Sequence, residues 1–376
     1  KHWDSPAISN YGANTYTYAQ IAEQISKLHI LFDKYKIEKG EHIAICARNS
    51  AEWCITFYGI TTSGAVAVPL LADFLPQNIA DLTKISGSRL LFVDKAILGN
   101  LTRDNIISQF ADYDELHGVI DIVKCETIDT CGGDVKVLQE DIDAAFKARF
   151  PKGFTVADVH FEVGDLDDLN LISYTSGTSS SPKGVMLPAK SLSGNLEMAR
   201  KLVPVNEDDD NRTLSILPLA HIFGLAFDFI LMTSYGCHMH IFTERPVPAR
   251  LLKALSDVKP FIFLTVPLLI EKIFRSKVIP TLNKPVMRFL TAIPGVQQLI
   301  FKKIRSTIID VFGGNLGKRG FFIGGAAISR DVDKIMQKVK IPYAVGYGMT
   351  ECGPLISFTP APEYKSGSCG RYISAR

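Results

Sequence analysis

Apolar residues follow two alternating periodicities along the first part of the chain, and these predict helices placed between short strands. Helical spacing runs from Ile21 to Tyr35, after a capping box formed by Thr17 and Gln20. Short unbroken apolar runs separate the helical segments, as expected of buried strands in parallel pairing with helices on both faces. The predicted strands are HIAICA (42–47), AVAVPL (65–70) and RLLFVD (89–94), and the helices are 51–62, capped by Ser50, and 76–86.

A second series of alternating elements follows a more polar segment, 124–168, which we interpret as a connecting region. We therefore predict an α/β protein with two lobes of mostly parallel, helix-flanked sheets, at residues 1–165 and 166–376. Ser329 is expected to cap a helix that has Asp331 in its first turn. The predicted strands are LNLISY (169–174), TLSIL (213–217), HMHIF (238–242), FIFLTV (261–266), GFFIGG (320–325) and YAVGYG (343–348), with a helix at 189–202.

The composition is that of a globular protein with more than one core. Of 376 residues, 47% are hydrophobic and 21% charged, and the net charge is +2. Neither disorder nor a nucleic-acid partner is expected. The most apolar stretch, 214–232, contains Pro218, His221 and Asp228, which argues against a membrane span and favours a buried strand and helix. The sequence leaves the oligomeric state open.

Cysteine usage and the N-terminus favour a cytoplasmic protein. No secretory signal is visible at the start of the chain. The seven cysteines form no CxxC pair and have no zinc-ligand spacing. Their odd number favours free thiols in a reducing compartment, most of them packed as small apolar residues.

A turn rich in hydroxyl side chains, within LISYTSGTSSSPKGVML (171–187), indicates polyphosphate binding. Backbone N–H groups, hydroxyls and one ammonium group are donors that suit phosphate oxygens. Counted from Gly177, a P-loop requires glycine at 182, lysine at 183 and serine or threonine at 184. The residues present are Pro182, Lys183 and Gly184, and GVML predicts a strand rather than a helix. The P-loop interpretation therefore fails.

Several motifs together resemble those of the adenylate-forming enzymes, which include acyl-CoA synthetases, nonribosomal-peptide adenylation domains and firefly luciferase. YTSGTSSSPKGVML (174–187) resembles the signature loop of that superfamily, and VGYGMTECGP (345–354) resembles its Tyr-Gly-x-Thr-Glu motif. GGAA (324–327), LPLAHIFGL (217–225) and NTYTYAQI (14–21) match further segments, in the expected order. The resemblance covers nearly the whole chain.

The resemblance implies activation of a carboxylic acid by ATP to an acyl-AMP, with release of pyrophosphate, followed by acyl transfer to coenzyme A. Lys183, Thr350 and Glu351 would be catalytic, with Thr350 at the α-phosphate. Glu351 would bind Mg²⁺ with support from Thr178. Tyr347 would stack on adenine. The further nucleotide-binding positions are Thr175, Ser176, Gly177, Thr178, Ser179 and Lys183 at the phosphates, Gly325, Ala326 and Ala327 at adenine, and Gly348 beside Tyr347.

The signature loop departs from the superfamily pattern at two positions. Ser179 replaces a threonine and keeps the hydroxyl group, whereas Ser180 replaces a glycine. A Cβ at position 180 restricts the loop if the backbone there has positive φ. The fine geometry of the loop is therefore open, while its role is expected to be retained.

The acid is expected to be a long-chain fatty acid, because IFGLAFDFILM (222–232) and FIFLTVPLLI (261–270) can line an apolar tunnel. Ordinary core packing explains at least part of both runs. The resemblance places His221 and Phe223, with Gly325 and Gly346, at the substrate pocket; a packing role for His221 is the alternative. A ligase for aryl or other small acids, or one that loads an acyl-carrier protein, remains open, as does a non-catalytic nucleotide- or lipid-binding module.

The segment 275–309 has seven basic residues and no acidic one, and includes the apolar runs FLTAI and QQLIFKKI. Such a segment can rest on the anionic inner face of a membrane, although a solvated helix face is an equal alternative. The basic positions are Arg275, Lys277, Lys284, Arg288, Lys302, Lys303 and Arg305.

Members of the superfamily continue with a Thr-Gly-Asp segment, a hinge and a small C-terminal domain that carries an adenylation lysine. None of these is found before the chain ends at GSCGRYISAR. We expect this chain to be a large N-terminal portion without the small C-terminal domain, which binds nucleotide weakly and turns over slowly by itself.

Overall fold

The computed structural model describes residues 1–161, 164–175, 182–206, 209–244, 247–317 and 319–373. The chain divides into two compact units. Unit 1 comprises Lys1–Ser193 and Pro218–Leu225, and unit 2 comprises Gly194–Leu217 and Ala226–Arg376. The predicted α/β class with helix-flanked, mostly parallel sheets is confirmed.

Unit 1 contains a seven-stranded sheet and a separate antiparallel pair. Its strands are β1 (Pro6–Asn10), β2 (Thr15–Thr17), β3 (His42–Cys46), β4 (Val66–Pro69), β5 (Ser88–Val93), β6 (Gly118–Asp121), β7 (Glu126–Asp129), β8 (Leu169–Thr175) and β9 (Lys183–Pro188). The sheet order is β7-β6-β5-β3-β4-β8-β9. Pairing is parallel except for the two outer strands, β7 and β9, and β1 pairs with β2 in antiparallel fashion.

The helices of unit 1 cover both faces of this sheet. They are α1 (Tyr18–Tyr35), α2 (Ala51–Thr62), α3 (Pro76–Ile85), α4 (Lys95–Arg103), α5 (Gln139–Arg149) and α6 (Ala189–Leu202), the last of which continues into unit 2. The predicted capping box forms, because Thr17 and Gln20 exchange side-chain-to-backbone hydrogen bonds of 3.2 and 2.9 Å. Alternate residues of β3 pack on opposite sides, with Ala44 and Cys46 in the core on the α3 and α4 side.

The segment 124–168 is more ordered than predicted, since it includes β7 and α5. The helical pattern was missed because α5 buries only Ile142. Its remaining contacts are aromatic and ionic: Phe146 lies 4.9 Å from Phe150, centroid to centroid, and Asp143 pairs with Lys27 at 2.9 Å. Tertiary contacts, rather than an amphipathic pattern, hold this helix.

The strand β8 belongs to the first sheet, which changes the predicted division of the chain. Leu171 pairs in parallel with Ala67 of β4. Residues 166–193, predicted to open the second lobe, therefore lie in unit 1, and so does the short stretch 218–225. The error arose because strand order cannot be obtained from apolar periodicity alone.

Unit 2 combines parallel and antiparallel strands. Its strands are β10 (Arg212–Ser215), β11 (His238–Ile241), β12 (Phe263–Thr265), β13 (Phe321–Ile323), β14 (Tyr343–Val345), β15 (Tyr347–Gly348), β16 (Leu355–Phe358) and β17 (Arg371–Tyr372). The strands β12, β13 and β14 form a parallel sheet, β10 and β11 a parallel pair, and β15, β16 and β17 an antiparallel sheet.

The helices of unit 2 are mostly short. They are α7 (Leu231–Ser234), α8 (Pro248–Val258), α9 (Pro267–Ile273), α10 (Ile279–Leu282), α11 (Pro285–Leu290), α12 (Val296–Val311) and α13 (Arg330–Val339), with π-helical turns at Gly224–Ile230 and Phe274–Val278. Ser329 occupies the N-cap position of α13, but its side chain makes no capping hydrogen bond. That detail of the prediction is wrong, because the Ser329 hydroxyl accepts from Arg275 at 3.1 Å.

The apolar stretch 214–232 forms the end of β10, a π-helical turn and the start of α7, and most of it is buried, as predicted. Within the described residues, no helix is both long and apolar enough to cross a bilayer. Four of the seven cysteines are buried, whereas Cys352 and Cys369 are exposed. The expectation that most cysteines are packed inside is thus confirmed.

Candidate active site

The hydroxyl-rich turn is closed by an antiparallel hairpin of β8 and β9 in unit 1. Thr175 is paired with Lys183, and Tyr174 with Gly184. The lysine therefore begins a strand, which supports the rejection of a P-loop, where a helix follows the lysine. Residues 176–181 lie outside the described residues, and with them the predictions for Ser176, Gly177, Thr178 and Ser179 and the question raised by Ser180.

The Lys183 side chain is available to a ligand. It is exposed, and within the described part of the chain it forms no ion pair. Lysines of this unit with structural ion pairs, such as Lys27 and Lys39, have carboxylate oxygens within 3.0 Å. An exposed ammonium without a partner carries its full charge toward an anion.

His221 lies in the short stretch of unit 1 that follows Pro218. The His221 Nδ1 atom accepts a hydrogen bond of 3.3 Å from the Phe223 backbone N–H. Desolvation lowers the pKa of the imidazole below its usual value, so the ring is neutral near pH 7. Because Nδ1 is an acceptor, the ring hydrogen resides on Nε2, which is then a donor for a carboxylate.

A backbone contact that the sequence did not reveal holds the start of this segment. The Leu219 N–H donates to the side-chain oxygen of Asn49 at 3.0 Å. Asn49 lies shortly after the end of strand β3, beyond Ala47 and Arg48. It is far from Leu219 in sequence. No local pattern could have indicated this contact.

In unit 2, the predicted adenine-binding residues follow the carboxyl end of β13, where ligand sites of parallel sheets are commonly found. The Gly324 N–H donates to the Thr265 carbonyl at 3.1 Å, and the Gly346 N–H donates to the Ile323 carbonyl at 3.0 Å. Gly325 has φ +86, a conformation that favours glycine. Gly325, Ala326 and Ala327 are all exposed.

We call residues 324–329, which include the predicted adenine-binding residues, the adenine loop. Its far end is held by α9 and by the π-helical turn after α9. The Glu271 Oε1 atom accepts from the Ser329 N–H at 2.7 Å. Arg275 donates to the Ser329 hydroxyl and forms a two-atom ion pair with Asp331 at 2.8 and 2.9 Å. Arg275 is thus engaged in an ion pair within unit 2, and the contact of segment 275–309 with a membrane stays a prediction.

The predicted nucleotide and metal residues of unit 2 lie on a tight connection between β15 and β16. Gly348 allows the two strands to approach, since a Cβ there would lie 2.1 Å from the Pro354 oxygen. The Met349 N–H donates to the Pro354 carbonyl at 2.9 Å, and residues Thr350–Cys352 form one 3₁₀ turn. Gly346, at the entrance to this connection, is half-buried.

Two functional candidates on this connection, Tyr347 and Glu351, have exposed side chains. Tyr347 is 52% exposed, as is expected of a ring that can stack on a ligand. Glu351 is exposed, and within the described residues its carboxylate has no ion-pair partner. The Thr350 side chain is buried. This arrangement brings Tyr347, Thr350 and Glu351 into one segment, with the adenine loop on the neighbouring strand end.

The site fits a magnesium ion only together with a ligand that brings its own oxygens. Among the described residues, no group of three or more His, Cys, Asp or Glu side chains could hold a metal. Mg²⁺ is commonly bound by one or two carboxylates together with phosphate oxygens and water. An exposed, unpaired Glu351 matches that mode.

Comparisons with known proteins identify the class. A family model described as "AMP-binding enzyme" matches residues 1–375. The chain therefore belongs to the AMP-binding enzyme family, as the motifs indicated.

Curated relatives include ligases for different acids. Long-chain-fatty-acid–CoA ligase 1 of Saccharomyces cerevisiae is 26% identical over 96% of this chain and 55% of its own length. 4-Coumarate–CoA ligase 4 of Arabidopsis thaliana is 24% identical over 95% and 56%. The chain thus spans about half the length of the curated relatives it matches.

Solved structures share the fold. The N-terminal domain of FACL13 from Mycobacterium tuberculosis superposes with a TM-score of 0.70 at 21% identity, covering 98% of this chain and 78% of that one. ATP-bound MatB from Rhodopseudomonas palustris gives a TM-score of 0.70 at 19% identity, covering 99% and 62%.

Proposed function

We propose that the protein activates a long-chain fatty acid with ATP and transfers the acyl group to coenzyme A. A carboxylate oxygen bonds to the α-phosphorus of ATP while the bond to the β-phosphate oxygen breaks, and pyrophosphate leaves with that electron pair. The thiol sulfur of coenzyme A then bonds to the acyl carbon, AMP departs, and the thiol proton passes to solvent.

The observation that carries this proposal is the family match over residues 1–375 together with side chains left free by the fold. Lys183 in unit 1 and Glu351 in unit 2 are exposed and have no ion-pair partner in the described chain. An exposed charge that the fold does not pair is available to a ligand of opposite charge. A triphosphate needs such groups because its charge must be offset before a second anion can attack.

We assign the roles of the individual residues from the family motifs. Lys183, with Thr175 and the loop 176–179, binds the β- and γ-phosphates. The Thr350 hydroxyl contacts the α-phosphate, and Glu351, with Thr178, holds Mg²⁺. When bound, Mg²⁺ offsets charge on the phosphate oxygens. The small residues 325–327, with Tyr347 and Gly348, hold adenine.

The acid is recognised through His221 and the apolar residues around it. The neutral ring offers its Nε2–H to one carboxylate oxygen and does not act as a base at that atom. Phe223 lines the apolar part, and the absence of side chains at Gly325 and Gly346 leaves room. A Cβ at Gly346 would lie only 3.3 Å from Leu355 Cδ1.

An aryl acid is the second candidate, because 4-coumarate ligases match this chain almost as closely as long-chain ligases do. Pyrophosphate release by the full-length protein should be measured with fatty acids from short to long and with 4-coumarate. We expect kcat/KM for a long-chain acid to exceed that for 4-coumarate by at least about tenfold. The reverse preference would replace the fatty acid by an aryl acid. No release with any acid would favour a non-catalytic binding module. If the acyl group is transferred to an acyl-carrier protein instead of coenzyme A, only the thiol acceptor of the proposal changes and the acyl-AMP step remains.

We also propose that the segment 284–305 rests on an anionic membrane surface. Val286, Phe289 and Leu299 are 68%, 70% and 69% exposed. The neighbouring basic side chains have no ion-pair partners within the described residues; they are Lys284, Arg288, Lys302, Lys303 and Arg305. Apolar groups beside unpaired cations are complementary to anionic lipid.

Sedimentation with vesicles tests this surface. Phosphatidylcholine vesicles containing phosphatidylglycerol should bind the protein in a salt-sensitive manner, whereas pure phosphatidylcholine should bind it weakly. Lys302→Gln with Lys303→Gln should weaken binding about tenfold or more. The same change at Lys334 and Lys338 on α13 is the matched control. Equal binding by both double variants would exclude this surface.

A further inference from the structure

The turn that carries Thr350 and Glu351 is fastened from outside by one side chain. Asn195, on the helix α6, donates from Nδ2 to the Cys352 carbonyl at 3.1 Å. Its Oδ1 atom accepts from the Leu355 backbone N–H at 2.8 Å. All three residues belong to unit 2. One planar amide thereby bridges the last residue of the 3₁₀ turn and the first residue of β16.

The backbone of the turn needs such a fastening. Its own hydrogen bonds are short-range: Cys352 N–H to the Met349 carbonyl at 3.0 Å, and Gly353 N–H to the Thr350 carbonyl at 3.1 Å. These bonds set the shape of the turn, and the bond from the Met349 N–H to the Pro354 carbonyl at 2.9 Å closes its base, but none of the three reaches outside the β15–β16 connection. A single 3₁₀ turn is intrinsically weak, so an external bidentate contact has a large share in deciding where the Glu351 carboxylate points.

We propose that Asn195 is a positioning residue that holds Thr350 and Glu351 ready for the magnesium–triphosphate ligand. This inference rests on the proposed function of the site. Asn195 itself touches neither phosphate nor metal and acts through the backbone of the turn. Its asparagine amide suits the task because it presents one donor and one acceptor in a fixed plane.

The test compares ATP binding with and without magnesium. Binding of a ribose-labelled fluorescent ATP to residues 1–376 is measured in excess Mg²⁺ and in EDTA, and the ratio of the two dissociation constants is the readout. For Asn195→Ala we expect this magnesium-dependent gain in affinity to fall about tenfold, while affinity in EDTA stays within about twofold. Asn195→Ser, which can make one of the two bonds, should lie in between and protects the test against a variant that fails to fold.

The matched control is Asn315→Ala. Asn315 donates from Nδ2 to the Lys259 carbonyl at 3.2 Å in the same unit, so the variant also loses a side-chain-to-backbone bond but leaves the turn alone. Its magnesium-dependent gain should equal that of the wild type.

Three outcomes separate the alternatives. Equal loss of affinity in Mg²⁺ and in EDTA would show general loosening and overturn the positioning role. An unchanged ratio in Asn195→Ala, with a normal wild type, would overturn the positioning role and leave the proposed function intact. A wild type whose ATP binding is indifferent to Mg²⁺ would overturn the proposed function, and the inference with it.

Discussion

Glu52 in unit 1 and Asp228 in unit 2 are both buried carboxylates, with 9% and 1% of their surfaces exposed, yet their surroundings differ completely. Glu52 accepts from Asn10 and Tyr16 at 3.0 Å and from Asn14 at 3.1 Å. Burial by itself would raise the pKa of Glu52, but these donors outweigh it and the pKa is lowered.

Neither carboxylate oxygen of Asp228 has a hydrogen-bond partner among the described residues. Burial raises its pKa to about 7, and the nearby Ser215 hydroxyl and the backbone of Ile216 and Leu217 offset this only in part. Burial therefore does not decide the charge state of a carboxylate; the supply of donors does. Glu52 fastens the N-terminal hairpin to α2, whereas Asp228 has no comparable set of donors among the described residues.

The largest expected effect is that of Glu52→Ala. Three donors would lose their acceptor in a buried place, which should cost about 4 kcal/mol of unfolding free energy. Both tryptophans, Trp3 and Trp53, lie in unit 1, so urea unfolding followed by tryptophan fluorescence reports this unit. A loss below about 1 kcal/mol would mean that the network does not hold the hairpin.

Above neutral pH, Asp228→Asn should raise the unfolding free energy, whereas Glu52→Ala lowers it. The folded-state pKa is raised, so the stability contributed by the neutral carboxyl is full below pH 3.8, declines as the pH rises and is lost by about pH 7. Between pH 4 and pH 8 the variant should gain on the wild type by on the order of 3 kcal/mol. Hydrogen exchange of peptides covering residues 212–232 measures this locally. If the stability difference between Asp228→Asn and the wild type does not change with pH, a hydrogen-bond donor must stabilise the Asp228 carboxylate.

Protonation of Glu52 at acid pH should change the unfolding free energy by a smaller amount. Its folded-state pKa lies below the ordinary value of 4.5. The stability it supplies is therefore present above pH 4.5 and lost as the pH falls through the folded-state pKa. The gap in unfolding free energy between wild type and Glu52→Ala should narrow as the pH falls from 6 to 3, as read by tryptophan fluorescence. A constant gap would show that Glu52 acts by packing.

The smallest effect on stability is expected for Glu351→Gln, whose carboxylate has no ion-pair partner among the described residues. Unfolding free energy should change by less than about 0.5 kcal/mol, while pyrophosphate release by the full-length protein should fall about a hundredfold. Glu363→Gln, an exposed glutamate of the same unit, is the control for both assays. Unimpaired release in Glu351→Gln would remove the metal assignment.

Local signals predicted much of this protein. The capping box at Thr17 and the strand after Lys183 follow from neighbouring residues, and both are confirmed. The helix α5 was missed because its stabilising contacts reach across to Lys27 and to a cluster of phenylalanines. Periodicity reports burial on one face, and α5 has almost none.

Long-range polar contacts were beyond sequence reasoning. Asn195 lies 157 residues from Cys352, and Arg275 lies 56 residues from Asp331. The first of these contacts underlies the positioning role that we propose for Asn195, and the second pairs Arg275 with Asp331 within unit 2. The contrast between Glu52 and Asp228 was invisible for the same reason, since the donors that separate them come from elsewhere in the chain.

The hydrogen bond from the Phe223 amide to His221 has a consequence for specificity. A backbone amide cannot reverse its polarity, so it permanently selects which imidazole nitrogen keeps the hydrogen. An incoming acid would meet a donor whose direction is settled before it arrives. Alcohols and esters accept a single hydrogen bond more weakly than a carboxylate does, and the ring would therefore discriminate by charge without gaining or losing a proton itself.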